Sequence, residues 1–131
     1  MIRTRVGAII LKNKKILLAR DDDLDFFSLP GGAIDKAENF EQALRRELKD
    51  ELNLDLISFQ HYSTYNSLNT RLNIPQKDNN YLVTCENQPS PCSEIAEIKW
   101  LTKEEILSKK IPIFSVFVEN VFPLLVKDNL L

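Results

Sequence analysis

The chain has 131 residues, and its 17 basic and 19 acidic side chains give it a formal net charge of −2. This length favours a single domain, and the lack of a basic excess disfavours a protein that binds nucleic-acid polymers by neutralising their phosphates. The only glycines are Gly7, Gly31 and Gly32, and their spacing excludes a G-x-G-x-x-G dinucleotide motif and a P-loop. The single histidine, His61, excludes a metal site of several histidines.

The N-terminal part of the chain predicts a β-hairpin followed by a loop. Val6–Leu11 and Lys15–Arg20 are short apolar runs, and the turn between them contains Asn13, a residue type that tolerates a positive φ. The Pro-Gly-Gly sequence at positions 30–32 then gives a strong loop signal.

A helix is predicted from Phe40 to Leu52. Asn39 and Gln42 form the pattern of a capping box at its start, and Asn53 can adopt the left-handed conformation that ends a helix. Both ends of this helix are therefore marked in the sequence itself.

Three strand-like segments follow this helix: Leu54–Tyr65, Tyr81–Cys85 and Glu94–Leu101. The polar stretch Asn66–Asn80 is predicted to be a long loop, a type of connection that is often functional. A capping box beginning at Thr102 opens a short helix, and Ser115–Lys127 is a second apolar helix that Pro123 should kink or shorten. Strands around a central helix, with another helix at the end, predict a mixed α/β sandwich.

The central helix places carboxylates on its apolar side. At about 100° per residue, Glu47 and Glu51 fall inside the apolar arc and Asp50 lies at its edge. The arc is defined by Phe40, Ala43, Leu44, Leu48 and Leu52. An unpaired buried charge is costly, so these carboxylates require compensation.

Two forms of compensation are open. Arg46 can pair with Asp50 one helical turn away, or the oxygens of Glu47, Asp50 and Glu51 can converge on a divalent cation. One arginine cannot neutralise three carboxylates, which favours the cation. A hard cation such as Mg²⁺ prefers oxygen ligands and keeps waters for a phosphate-bearing substrate.

The same stretch resembles the Nudix box, G-x5-E-x7-R-E-U-x-E-E-x-G-U, in which U is a bulky aliphatic residue. Residues 32–54 match most of its fixed positions without an insertion, with Asp50 in place of the first glutamate of the E-E pair and Asn53 in place of the glycine. The lead-in Leu29–Gly32 and the late strand Ile98–Thr102 also resemble the family, so the resemblance spans roughly Val6 to Leu107.

The resemblance implies a Nudix-type α/β/α sandwich with a mixed, mostly antiparallel curved sheet between helices. It also implies a single Nudix hydrolase domain over residues 1–131, with the box at 32–54. The implied activity is Mg²⁺-dependent pyrophosphohydrolysis, with Mn²⁺ as a substitute, of a nucleoside di- or triphosphate or a nucleoside diphosphate derivative. Water attacks phosphorus, and analogy with short relatives favours triphosphates. The alternative is a non-catalytic nucleotide-binding or regulatory domain on the same fold.

Carried over residue by residue, the resemblance supplies a metal site and a group that orients it. Its ligands are the carbonyl of Gly31 with Glu38, Glu47, Asp50 and Glu51. Glu47 and Glu51 are the principal ligands, and Asp50 is a ligand or supports one. Arg46 orients the carboxylates by hydrogen bonding and completes the catalytic set with Glu47 and Glu51.

The proton of the attacking water needs a base. In MutT-type relatives an acidic residue six positions before the late tryptophan can serve; here it is Glu94, with Glu97 as the alternative. Arg20 and Arg71 are candidate phosphate contacts.

The expected partner is a small-molecule nucleotide rather than a nucleic-acid polymer. The apolar runs are too short to span a membrane, and two cysteines give no sign of an oxidising compartment. These features predict a cytoplasmic protein without membrane contact, acting as a monomer or homodimer.

Overall fold

The computed structural model describes residues 2–69 and 71–131. Within these ranges, seven strands and three α-helices follow one another along the chain. They are β1 (Arg3–Ile9), β2 (Leu11–Lys12), β3 (Lys15–Asp21), β4 (Gly31–Ala33), α1 (Phe40–Leu52), β5 (Asp55–Leu68), β6 (Pro75–Glu86), β7 (Ile95–Thr102), α2 (Lys103–Leu107) and α3 (Phe122–Lys127). A π-helical turn over Phe117–Val121 precedes α3.

The strands are divided between two sheets. The larger one has the order β4-β1-β6-β5 and is mixed, because β1 runs parallel to β6 while the other neighbours are antiparallel. The smaller one, β2-β3-β7, is antiparallel throughout. The predicted mixed α/β sandwich is confirmed, with its mostly antiparallel strands arranged in two sheets.

Two apolar clusters separate the layers. The apolar side of α1 packs with Val6 and Ala8 of β1 in the first cluster. Ile9 points the opposite way, into a second cluster that includes Phe117 and Leu125 from the C-terminal helical segment. Since neighbouring side chains of a strand alternate between faces, β1 lies between the two helical layers.

Helix α1 has the predicted bounds, Phe40–Leu52. Asn39 and Gln42 form the capping box, with hydrogen bonds of 2.8 and 2.9 Å between the side chain of each and the backbone N–H of the other. Asn53 ends the helix at φ 55°. The local signals were sufficient because every partner in these caps lies within one turn.

The predicted loop over Asn66–Asn80 is wrong. Strand β5 continues to Leu68 and β6 begins at Pro75, so most of this polar stretch belongs to an antiparallel hairpin. The sequence pattern did not indicate a strand here because the side chains are polar, whereas central strands normally alternate apolar with polar residues or are apolar throughout. Gln76, Asp78 and Asn80 are nevertheless buried here.

The C-terminal helical segment has the predicted bounds, Ser115–Lys127, but a π-helical turn interrupts its regular α-helical geometry. The π-helical turn covers Phe117–Val121 and ends two residues before Pro123. Because proline lacks an N–H and crowds the preceding turn, this irregularity agrees with the expected effect of Pro123 on the helix. Among the described residues no helix is long and apolar enough to cross a membrane.

Candidate functional site

A cavity of about 300 Å³ opens at the edge where β4 meets α1. Its walls come from α1 and the segment before β4, from the ends of β1, β5 and β6, and from aromatic side chains near the C-terminus. The predicted site residues that line it are Gly31, Arg46, Glu47, Glu51, Arg71 and Glu94.

Two glycines allow the carboxylates of α1 to lie directly against the backbone of β4. Gly31 has a φ of +144°, and its N–H donates to Glu51 Oε1 at 3.0 Å. A Cβ atom added to Gly32 would lie 2.5 Å from Glu47 Oε1. Any larger residue at position 32 would therefore displace the Glu47 carboxylate.

Glu51 is a buried carboxylate with only 5% of its surface exposed. Burial, together with the neighbouring Glu47 carboxylate, raises the pKa of Glu51 to about 8 against the lowering effect of the Gly31 N–H. Two hard oxygen donors thus lie close together with their charge incompletely compensated. This donor set suits a divalent cation such as Mg²⁺.

Arg46 holds the carboxylates of Glu38 and Glu47 in place. Its Nε and Nη2 donate to Glu38 at 2.6 and 2.8 Å, and its Nη1 donates to Glu47 Oε1 at 2.8 Å. Nη2 also donates to the carbonyl of Ala33 at 3.0 Å. The Arg46 guanidinium lowers the pKa of Glu38 to about 2. Arg46 therefore pairs with Glu38 and Glu47, and it ties α1 to β4.

Asp50 does not join Glu47 and Glu51 at the cavity. It is exposed and does not line the cavity, in keeping with its place at the edge of the apolar arc. Glu38 also does not line the cavity, although Arg46 connects it to Glu47. Within residues 2–69 and 71–131, no three His, Cys, Asp or Glu side chains come together as a metal-ion cluster.

The two candidate bases have different surroundings. Glu94 lines the cavity, and its carbonyl accepts from the Asp22 N–H at 2.8 Å. Glu97 lies outside the lining, 3.7 Å from Arg20 Nη2 and 3.3 Å from Lys99 Nζ. The structure thus brings Glu94, and not Glu97, to the cavity that Glu47 and Glu51 also line.

The two candidate phosphate contacts also differ. Arg71 lines the cavity and bridges Asp21 and Asp23 at 2.7 Å each. Arg20 does not line it; its Nη1 donates to the carbonyl of Leu24 at 2.9 Å. Of the pair, Arg71 lies where a ligand in the cavity would meet it.

Sequence reasoning missed two parts of the cavity. One is aromatic: the rings of Phe26 and Phe114 stack with centroids 5.6 Å apart, and both line the cavity. The other is charged: Arg3 and Arg5 of β1 lie beside Gln76 and Asp78 of β6, and all four line the cavity. The alternation of Arg3 and Arg5 before an apolar run was a usable signal, but Asp78 lay in the stretch misread as a loop.

Comparisons with known proteins agree with this architecture. The family model described as NUDIX domain matches residues 1–120. Over 59 residues the chain is 42% identical to a Campylobacter jejuni protein named RNA pyrophosphohydrolase, an alignment that covers 40% of this chain and 38% of that protein. The chain therefore matches only about two fifths of this curated relative's length.

Solved structures share the fold across nearly the whole chain. A MutT NUDIX hydrolase from Burkholderia pseudomallei superposes with a TM-score of 0.78 and 21% identity, covering 92% of this chain and 98% of that one. A NUDIX hydrolase from Nitrosomonas europaea gives a TM-score of 0.81 at 14% identity, covering 99% and 91%.

Proposed function

This chain belongs to the Nudix domain family, and from that premise we propose that it is a metal-dependent pyrophosphohydrolase acting on a small nucleotide. The observation that carries the proposal is the position of Glu47 and Glu51, two carboxylates held against glycine backbone at the edge of one cavity. The name of the Campylobacter jejuni relative supports the reaction class. Residues 1–131 would act as one domain.

Mg²⁺ is the proposed cation, held by Glu47, Glu51 and the carbonyl of Gly31, with Mn²⁺ as a substitute. When bound, such a cation neutralises a pyrophosphate group and makes water easier to deprotonate. Glu38 acts through Arg46, whose guanidinium holds the Glu47 carboxylate in one orientation. Asp50, being exposed, would support the site from outside the cavity.

Glu94 is the proposed base. A water oxygen attacks phosphorus, the bond from phosphorus to the bridging oxygen breaks, and the proton of the water passes to the Glu94 carboxylate. Glu94 is favoured over Glu97 because it lines the cavity, whereas Glu97 is engaged with Arg20 and Lys99.

The remaining walls fit a nucleotide. Phe26 and Phe114 offer an apolar aromatic surface on which the nucleobase can pack. Arg71 lines the same cavity and can contact a phosphate group. Arg20 would contribute indirectly through the backbone of the segment at Leu24. Nucleoside triphosphates are the favoured substrates.

The direct test is product release from a panel of nucleotides with and without Mg²⁺. Glu51→Gln should lower kcat by more than the roughly 10- to 100-fold cost of losing an outer partner of a metal ligand. Glu41→Gln is the matched control, because Glu41 lies on the same helix but pairs with Arg45 outside the cavity. Equal activity of the two variants would contradict the role of Glu51.

A second candidate function is nucleotide binding without turnover. It is favoured by the position of Asp50 outside the cavity and by the lack of a three-carboxylate cluster in the described part of the chain. Tight nucleotide binding with no product release across several divalent metals would support it and contradict the hydrolase.

A further inference from the structure

One face of the larger sheet carries polar and charged side chains where it lines the cavity. The register sets Arg3 beside Gln76 and Arg5 beside Asp78 in strands β1 and β6, and Tyr65 of β5 lies across from Asp78. Side chains two residues apart share a face of a strand, so these five form one surface, here called the polar floor. All five line the cavity.

On the polar floor, Arg5 has a counter-ion. Asp78 accepts from Ser67 Oγ at 2.6 Å and from Gln76 Nε2 at 2.9 Å, and its Oδ1 lies 3.9 Å from Arg5 Nη1. Arg5 Nη2 also donates to the carbonyl of Leu29 at 2.8 Å. The only carboxylate of the polar floor is thus engaged with its neighbours.

Arg3 is in a different situation. Among the described residues its Nε is buried without a hydrogen-bond partner. Burial lowers the pKa of Arg3, and the positive charges of Arg5 and Arg71 add to this lowering, which the carboxylates of Glu47 and Asp78 oppose only in part. Arg71 has its own counter-ions, Asp21 and Asp23, at the rim. Leaving a buried donor unpaired is costly, so an anion that binds in the cavity and pairs with the Arg3 guanidinium would be stabilised.

We propose that Arg3, supported by Arg5, forms a metal-independent subsite for a phosphate group of the substrate, separate from the group held at Glu47 and Glu51. This inference rests on the proposed function. The planar guanidinium matches phosphate oxygens in a bidentate arrangement and is weakly hydrated, so it binds phosphate well at a partly buried position.

The subsite narrows the substrate class. The polar floor and the α1 carboxylates line the same cavity, so the proposed subsite calls for a ligand that carries phosphate beyond the pyrophosphate at Glu47 and Glu51. Nucleotides with three linked phosphates meet this requirement. Nucleoside diphosphates joined to a neutral group place no charge at Arg3.

The test is calorimetric titration of tripolyphosphate into the full chain with EDTA present. Wild type should bind, and Arg3→Gln should weaken binding by roughly 10- to 100-fold, the range for losing a charge-assisted hydrogen bond. Arg45→Gln makes the same change of charge on the exposed side of α1, and it should leave the affinity within about twofold of wild type.

Arg3→Lys keeps the positive charge but removes the planar guanidinium that binds phosphate in a bidentate arrangement. It provides a second variant if Arg3→Gln does not fold. Its affinity should lie between those of wild type and Arg3→Gln. In turnover, Arg3→Gln should raise KM for a nucleoside triphosphate with little change in kcat, and should spare nucleoside diphosphates.

The subsite and the proposed function fail in different ways. Absence of metal-free tripolyphosphate binding, or equal weakening by Arg3→Gln and Arg45→Gln, would overturn the subsite. Turnover unaffected by Glu51→Gln would contradict the proposed function, even if Arg3 still binds tripolyphosphate.

Discussion

Two charged regions line the same cavity and arise in different ways. The carboxylates Glu47 and Glu51 belong to one helix and meet through helical spacing. The polar floor, with Arg3, Arg5 and Asp78, is assembled from separate strands that pair in register. The first region depends on local geometry, and the second depends on a strand pairing between distant parts of the chain.

The first region also depends on the two glycines of β4, and among the four substitutions that test this comparison Gly32→Ala should have the largest effect. The added Cβ would lie 2.5 Å from Glu47 Oε1 and displace that carboxylate. A shift of about 1 Å can lower turnover on the order of 100-fold. Steady-state kinetics should show this loss while the circular dichroism spectrum stays like that of wild type; full activity would mean that Glu47 tolerates displacement.

Arg46→Lys should come next. Lysine cannot donate to Glu38, Glu47 and Ala33 from one planar group, so the Glu47 carboxylate loses its fixed orientation. The expected loss of kcat is roughly 10- to 100-fold. Arg45→Lys, one position away on the exposed side of α1, serves as the control. The same loss of kcat in both variants would contradict the positioning role of Arg46.

Asp78→Asn probes the second region. It keeps the shape of the side chain but removes the charge facing Arg5 and exchanges an acceptor of Ser67 or Gln76 for a donor. The free energy of unfolding, measured by urea denaturation, should fall by about 1–3 kcal/mol. Tripolyphosphate should recover part of this stability, because the ligand supplies negative charge to the polar floor. Unchanged stability would show that Asp78 does not compensate Arg5.

Asp50→Asn should have the smallest effect. The side chain is exposed and outside the cavity, so kcat and the Mg²⁺ concentration for half-maximal activity should stay within about twofold of wild type. A loss as large as that of Glu51→Gln would instead place Asp50 among the metal ligands, as the box spacing predicts. This variant therefore distinguishes the ligand role that the box spacing predicts for Asp50 from the exposed position that the fold gives it.

Much of the first region was predictable from the sequence, and little of the second was. Helix α1 has the predicted bounds because Asn39, Gln42 and Asn53 act within one turn of its ends. The stretch around Gln76 and Asp78 was predicted to be a loop because its polar residues do not follow the apolar patterns by which strands are recognised. They form a strand since neighbouring residues hydrogen-bond their side chains and bury them.

The sequence by itself determined the α/β class, the helix with its two caps and the presence of carboxylates on the apolar side of that helix. Tertiary structure alone decided that Asp50 stays outside, that Glu94 rather than Glu97 lines the cavity, and that Arg3 lies beside Arg5 and Asp78. Helical contacts follow from spacing along one segment. Contacts across a sheet follow from register, which no single segment specifies.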